Sequence, residues 1–136
     1  MPSLPSRVVD VRPYEDGDAR AIAALSTTVQ WPSLTDPGVV AQVCTAPGAS
    51  AYVAEVDGAV VGWAQALGDG VLQAHLSFLA VHPDHRRRGI ARLLLVAVFQ
   101  ATGAKRLDLV ADPDAADFYE TFGHRRLAGF RVYPGG

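Results

Sequence analysis

Short apolar segments, cut by Gly, Pro and Asp, set the organisation of the chain. Residues 8–11 read as a first strand, and Asp16-Gly17-Asp18 as the start of a helix over residues 19–28. Trp31, Pro32 and Pro37 break regular structure before a short helix at residues 39–44. Two apolar segments, 51–56 and 60–67, flank Asp57-Gly58-Ala59, a strong antiparallel hairpin signal. In residues 71–81 the positions Leu72, Ala74, Leu76, Phe78 and Ala80 are apolar, while Gln73, His75 and Ser77 fall between them. Period-two alternation predicts a strand with one buried face and one polar face. A helix over residues 89–102 is apolar nearly all round, which predicts packing on a sheet with little free surface. Residues 106–111 suit a further strand, and Ala115, Phe118, Tyr119 and Phe122 make the stripe of a helix over residues 114–122. Residues 125–133 have room for a closing strand. Hairpins followed by a strand-helix-strand crossover imply an α/β layered domain over residues 1–136. Its central sheet is mixed and mainly antiparallel, with helices on both faces.

Composition narrows the function classes. At 136 residues, 49% hydrophobic and 19% charged, the chain supports one compact domain with a real core. A net charge of -2 gives no global attraction to nucleic acid or to an anionic membrane. The longest apolar run, residues 93–99, falls far short of the roughly 20 residues that span a bilayer. Cys44 is the only cysteine and residues 1–7 lack the apolar core of an export signal, so a reducing cytoplasm is the expected compartment. No His, Cys and Asp spacing resembles a metal site. Local charge differs from the global balance: eleven of the twelve basic residues are Arg, and Arg86, Arg87 and Arg88 are adjacent. Clustered guanidinium groups suit forked recognition of phosphate or carboxylate oxygens.

That cluster stands where a strand feeds a helix. The first N–H groups of a helix lack internal partners and the helix dipole adds positive potential, so Gly89 and small Ala91 would let an anion approach the backbone closely. The competing reading is a solvated basic helix start. Cations at this end oppose the dipole by roughly 0.3–1 kcal/mol each, which favours the reading in which an anion offsets them.

The segment from Phe78 through Val81, Arg86, Gly89 and Ala91 to Leu94 closely resembles the acetyl-CoA signature of the GNAT N-acetyltransferases, with Arg86, Gly89 and Ala91 at its three defining positions. Ala115-Ala116-Asp117-Phe118-Tyr119-Glu120-Thr121-Phe122-Gly123 looks like a second segment of that family. The resemblance implies acetyl transfer from acetyl-CoA, without a metal, to a primary amine by direct attack. It implies backbone pairing of Leu79 and Val81 with the pantetheine arm, an oxyanion donor near Ala80, and pyrophosphate binding by Arg87, Arg88, Gly89, Ile90, Ala91 and Arg92. Asp112 falls where the family often has Asn near the cofactor, and Tyr119 at the position of its usual general acid. His75 stands where several members carry a Glu base.

Bland readings stand beside these roles. Tyr119 also belongs to the apolar stripe of its helix, and His75 fits a wall residue beside a water relay as well as a base. His82 and His85 suit capping of their loop, Asp10, Glu15, Asp16 and Asp18 an exposed acidic helix start, and Trp31 and Trp63 the core, while the resemblance implies that the region between the first helix and the second strand, where Trp31 lies, helps form the acceptor site. At the level of function, a non-catalytic acyl-CoA sensor of the same fold and a flavodoxin-like or nucleotide-binding domain are the rivals to an enzyme. The expected acceptor is a small-molecule amine or a peptide amine, and the sequence names neither. A homodimer that completes the sheet edge at residues 131–133 is a further expectation.

Overall fold

The computed structural model describes residues 8–136. One five-stranded sheet runs in the order β1 (Val9–Pro13), β2 (Ala49–Val56), β3 (Ala59–Gly68), β4 (Gln73–Val81) and β5 (Arg106–Asp108). Helices α1 (Ala19–Thr28) and α2 (Pro37–Cys44) cover one face, and α3 (Ile90–Thr102) covers the other, with the short α4 (Ala116–Glu120) beside it. Neighbouring strands are antiparallel except β4 and β5, which α3 connects as a parallel pair. This is the mixed, mainly antiparallel sheet between helix layers that the pattern predicts.

Local chemistry explains the joints. Asp57 (φ 52°) and Gly58 (φ 80°) both adopt left-handed backbone, the turn whose twist matches a two-residue hairpin. Asp69 accepts the N–H groups of Val71 (2.8 Å) and Leu72 (2.7 Å) and so turns the chain into β4. At Gly62 an added Cβ would stand 3.1 Å from both Leu94 Cδ1 and the Ala80 carbonyl oxygen, so the missing side chain lets α3 settle closely on the sheet. Ile90, Leu94 and Val98 are thereby buried against β2, β3 and β4, each contributing about 1.5–3 kcal/mol of transfer free energy.

Several expectations need correction. The helix α3 is not buried all round, since Leu93 and Val96 lie on its outer side, exposed by 49% and 38%. Residues 125–133 form no strand: β5 is only three residues long and offers too short a ladder to receive one. Leu127, Phe130, Val132 and Tyr133 consequently face solvent. Asp18 is no exposed helix start. It is buried, and its two carboxylate oxygens accept from the Arg12 guanidinium at 2.8 Å each, while Arg12 Nε donates to Glu55 at 3.0 Å. Those guanidinium bonds hold the Asp18 carboxyl below the usual carboxylate range.

The largest correction concerns β4. Gln65 opposes Phe78 but Ala66 opposes Leu76, so Ser77 is an extra residue in the ladder. This bulge reverses the alternation. Leu76 packs in the core beneath α3, whereas Phe78 and Ala80 pack beneath α1 and α2, and Leu79 and Val81 return to the α3 side. The even-numbered positions therefore do not share one face.

Candidate active site

The bulge and the short β5 together open the sheet. β4 and β5 pair only at Gln73–Arg106, Ala74–Leu107 and His75–Asp108; beyond these the strands part. The gap is a cleft of about 140 Å³ lined by Leu76, Ser77, Phe78 and Leu79 of β4, by residues 109–112, and by Trp31, Ala115 and Tyr119. Its walls come from both faces of the sheet. Leu76, Leu79, Leu109 and Tyr119 belong to the core on the α3 side, and Trp31 and Phe78 to the core on the α1 side. Two reactants approaching from opposite faces can therefore meet in it.

The turn at the end of β4 has the features of an anion site. Gly89 is the N-terminal cap of α3 in left-handed conformation (φ 77°), and no side chain caps the helix. The first intrahelical bond runs from the Leu93 N–H to the Gly89 carbonyl, leaving the N–H groups of Ile90, Ala91 and Arg92 without helical partners. Arg87 holds φ 63°, a left-handed value that costs a non-glycine residue of the order of 1 kcal/mol. Its side chain and that of Arg88 are exposed and make no hydrogen bond or ion pair among the described residues. Arg86 differs, since its Nε donates to the Val81 carbonyl at 3.3 Å. An added Cβ at Gly89 would meet nothing within 4 Å, so the space over the turn is open.

Tyr119 is half-buried at the cleft wall and its hydroxyl has no hydrogen-bond partner among the described residues. Burial pushes the phenol pKa up, so the group stays protonated at neutral pH and can donate. Asp112 lines the same cleft, as does Leu79. Ala80 and Val81 are buried on opposite faces just beyond it. His75 is set apart: it is exposed in the part of β4 that remains paired, between Leu67 and Asp108, and does not line the cleft. His82 Nδ1 accepts the Asp84 N–H at 3.1 Å, the loop cap expected of it. Among the described residues no group of three or more His, Cys, Asp and Glu could hold a metal ion. None of their helices is long and apolar enough to cross a membrane.

Trp63 is core, fully buried, whereas Trp31 is half-buried on the cleft, in the region expected to help form the acceptor site. One placement escapes sequence reasoning. Arg92 turns its side chain away from the turn, donating to Thr121 Oγ1 at 2.7 Å with its guanidinium 4.0 Å over the Phe122 ring. It thereby ties the start of α3 to the end of α4, the element that carries Tyr119. Only the i, i+3 spacing of Tyr119 and Phe122 hinted at this clamp, and the partner Arg was invisible in it.

A family model described as an acetyltransferase (GNAT) domain matches residues 47–126, more than half of the chain. The chain belongs to the GNAT acetyltransferases. Among curated relatives, the mycothiol acetyltransferase of Parafrankia sp. (strain EAN1pec) is 43% identical over 67 residues, which cover 49% of this chain and 20% of that protein. The match thus spans only a fifth of that relative's length. Solved structures share the fold across nearly the whole chain. The ribosomal-protein-alanine N-acetyltransferase from Brucella melitensis biovar Abortus 2308 superposes with TM-score 0.73 at 23% identity, covering 95% of this chain and 100% of that one. The structure of AAC(6')-Iy in complex with the bisubstrate analogue CoA-S-monomethyl-acetylneamine gives 0.73 at 20% identity, covering 93% and 99%. At such identities the likeness establishes the GNAT fold and not the acceptor.

Proposed function

We propose that this GNAT chain transfers an acetyl group from acetyl-CoA to a primary amine by direct attack within a ternary complex. The observation that carries this reading is the two-faced cleft with Tyr119 in its wall, directly downstream of which β4 ends in an uncapped, arginine-rich helix start. The fit to the co-substrate rests on the N–H groups of residues 90–92, which lack helical partners, the open space over Gly89, and the guanidinium groups of Arg87 and Arg88, which have no partner among the described residues. Arg86 supports it differently, by fixing the carbonyl of Val81 and hence the shape of the turn.

Acetyl-CoA supplies an activated thioester carbonyl. The chain supplies position and proton traffic. Ile90, Ala91 and Arg92 bind pyrophosphate oxygens through backbone N–H groups, with Arg87 and Arg88 adding charge. Residues 79–81 line up the pantetheine arm, and an N–H near Ala80 stabilises charge that develops on the carbonyl oxygen. Tyr119 gives its proton to the departing sulfur as the C–S bond breaks. A phenol held protonated by burial suits that task, because a thiolate whose conjugate acid titrates near 8.5 takes the proton as it forms. The acceptor ammonium loses its protons to water in the cleft; His75 is exposed in the paired part of β4 and is not among the residues that line that space. Titration calorimetry with acetyl-CoA tests the reading. Micromolar to low-millimolar binding is expected, and no heat at millimolar acetyl-CoA refutes it.

A further inference from the structure

The acceptor side of the cleft is built around a held aromatic side chain. Trp31 follows Gln30, whose φ of 64° is a left-handed value unfavourable for a residue with a Cβ. Its backbone is fixed on both sides, the N–H donating to the Ser26 carbonyl at 2.8 Å and the carbonyl accepting from Leu34 at 3.1 Å. The indole packs on Phe78 with ring centroids 5.7 Å apart, and Phe78 stacks on the fully buried Trp63 at 5.5 Å and 18°. An aromatic column thus runs from the core to the cleft and presents Trp31 there only half covered. The rest of the cleft lining is largely apolar, with Leu76, Leu109, Val110 and Ala111; Asp112 is its only charged group, and Ser77 and Tyr119 add hydroxyls.

Building on the acetyl-transfer reading, we propose that the acceptor is a primary monoamine carried on an aromatic or other flat apolar body. That body lies against Trp31 and Phe78, and Asp112 faces the ammonium before its proton is lost. A π face next to one carboxylate recognises one cation on an apolar stem, through burial and cation–π attraction. It offers nothing to the several ammonium groups and hydroxyls of a polycationic sugar, whose desolvation one carboxylate cannot compensate. Trp31 is then the residue that sets acceptor specificity.

The test measures acetylation by free-thiol release with three amines, 2-phenylethylamine, n-propylamine and kanamycin, on wild type, Trp31→Ala and Trp31→Leu. In wild type, kcat/KM for 2-phenylethylamine exceeds that for n-propylamine by about tenfold, with kanamycin poorest. In Trp31→Ala the phenylethylamine-to-propylamine ratio falls about fivefold or more, mainly through KM. Trp31→Leu keeps the bulk without the π face and lowers the same ratio, so the comparison survives if the alanine variant does not fold. Preference for kanamycin or propylamine, or an unchanged ratio in the folded variants, overturns the proposal. Calorimetry with acetyl-CoA on the same preparations separates the two claims. Binding without acetylation of any of the three amines refutes the acceptor assignment, whereas absence of binding refutes acetyl transfer itself.

Discussion

The sheet has a closed half and an open half. From β1 to β4 the strands pair over long registers and both faces are covered, so that Val53, Ala54, Trp63 and Ala64 have no exposed surface. From β4 onward pairing lasts three residues, no residue of α4 is buried, and residues 124–136 are exposed throughout. The difference shows where each kind of work is done. Stability resides in the closed half, which has no need of a cleft. The proposed acetyl transfer belongs where the sheet fails to continue, because there the gap between β4 and β5 opens to both faces.

Substitutions that move along this divide should separate the two roles, beginning with the largest effect. Leu94 is fully buried at the contact between α3 and the sheet, and Leu93, one residue earlier, is half exposed. Leu94→Ala should cost about 3 kcal/mol in denaturant unfolding, against under ~1 kcal/mol for Leu93→Ala. Equal losses would erase the closed half as the seat of stability. Tyr119→Phe should lower kcat by about tenfold to hundredfold, with acetyl-CoA affinity within about twofold. Since the hydroxyl has no hydrogen-bond partner among the described residues, little change in unfolding free energy should accompany it. Full activity in Tyr119→Phe would remove its role as acid.

A smaller effect concerns acid stability. Arg12 holds the Asp18 carboxyl below its ordinary pKa, so this group's contribution is complete above the unfolded-state value of about 3.9 and is lost as pH falls through the lower folded-state value. Asp18→Asn should therefore destabilise by about 2 kcal/mol at pH 7 and by progressively less in acid. Thermal midpoints of wild type and variant, compared from pH 7 down to pH 3, measure it. A gap that stays constant with pH would contradict the ion pair as its source.

Legibility in the sequence follows the same divide. The hairpin at Asp57-Gly58, the apolar helix after Gly89 and the turn of Arg86, Gly89 and Ala91 are local signals, and each appears where its residues demand. The bulge at Ser77 was not legible. After Ser77 both faces of β4 are apolar, so a parity switch leaves the alternation of Leu72, Ala74, Leu76, Phe78 and Ala80 intact. Asp18 looks like any acidic helix start until β1 brings Arg12 beside it. Trp31 could be set apart from Trp63 only by resemblance, because composition cannot show that a strained Gln30 precedes a side chain set on a cleft. The apolar residues Phe130 and Val132 resemble a strand, but β5 is too short to receive one. In each case the missing information was a long-range partner.

The claim that the parted strands and the arginine-glycine turn form the acetyl-CoA site is tested most directly by amide hydrogen exchange with and without saturating acetyl-CoA. Protection should rise at residues 76–81 on the gap side of β4 and at residues 89–92, while Val9–Pro13 and Ala49–Val56 in the closed half remain unchanged. Protection confined to other segments, or spread evenly over both halves, would contradict it.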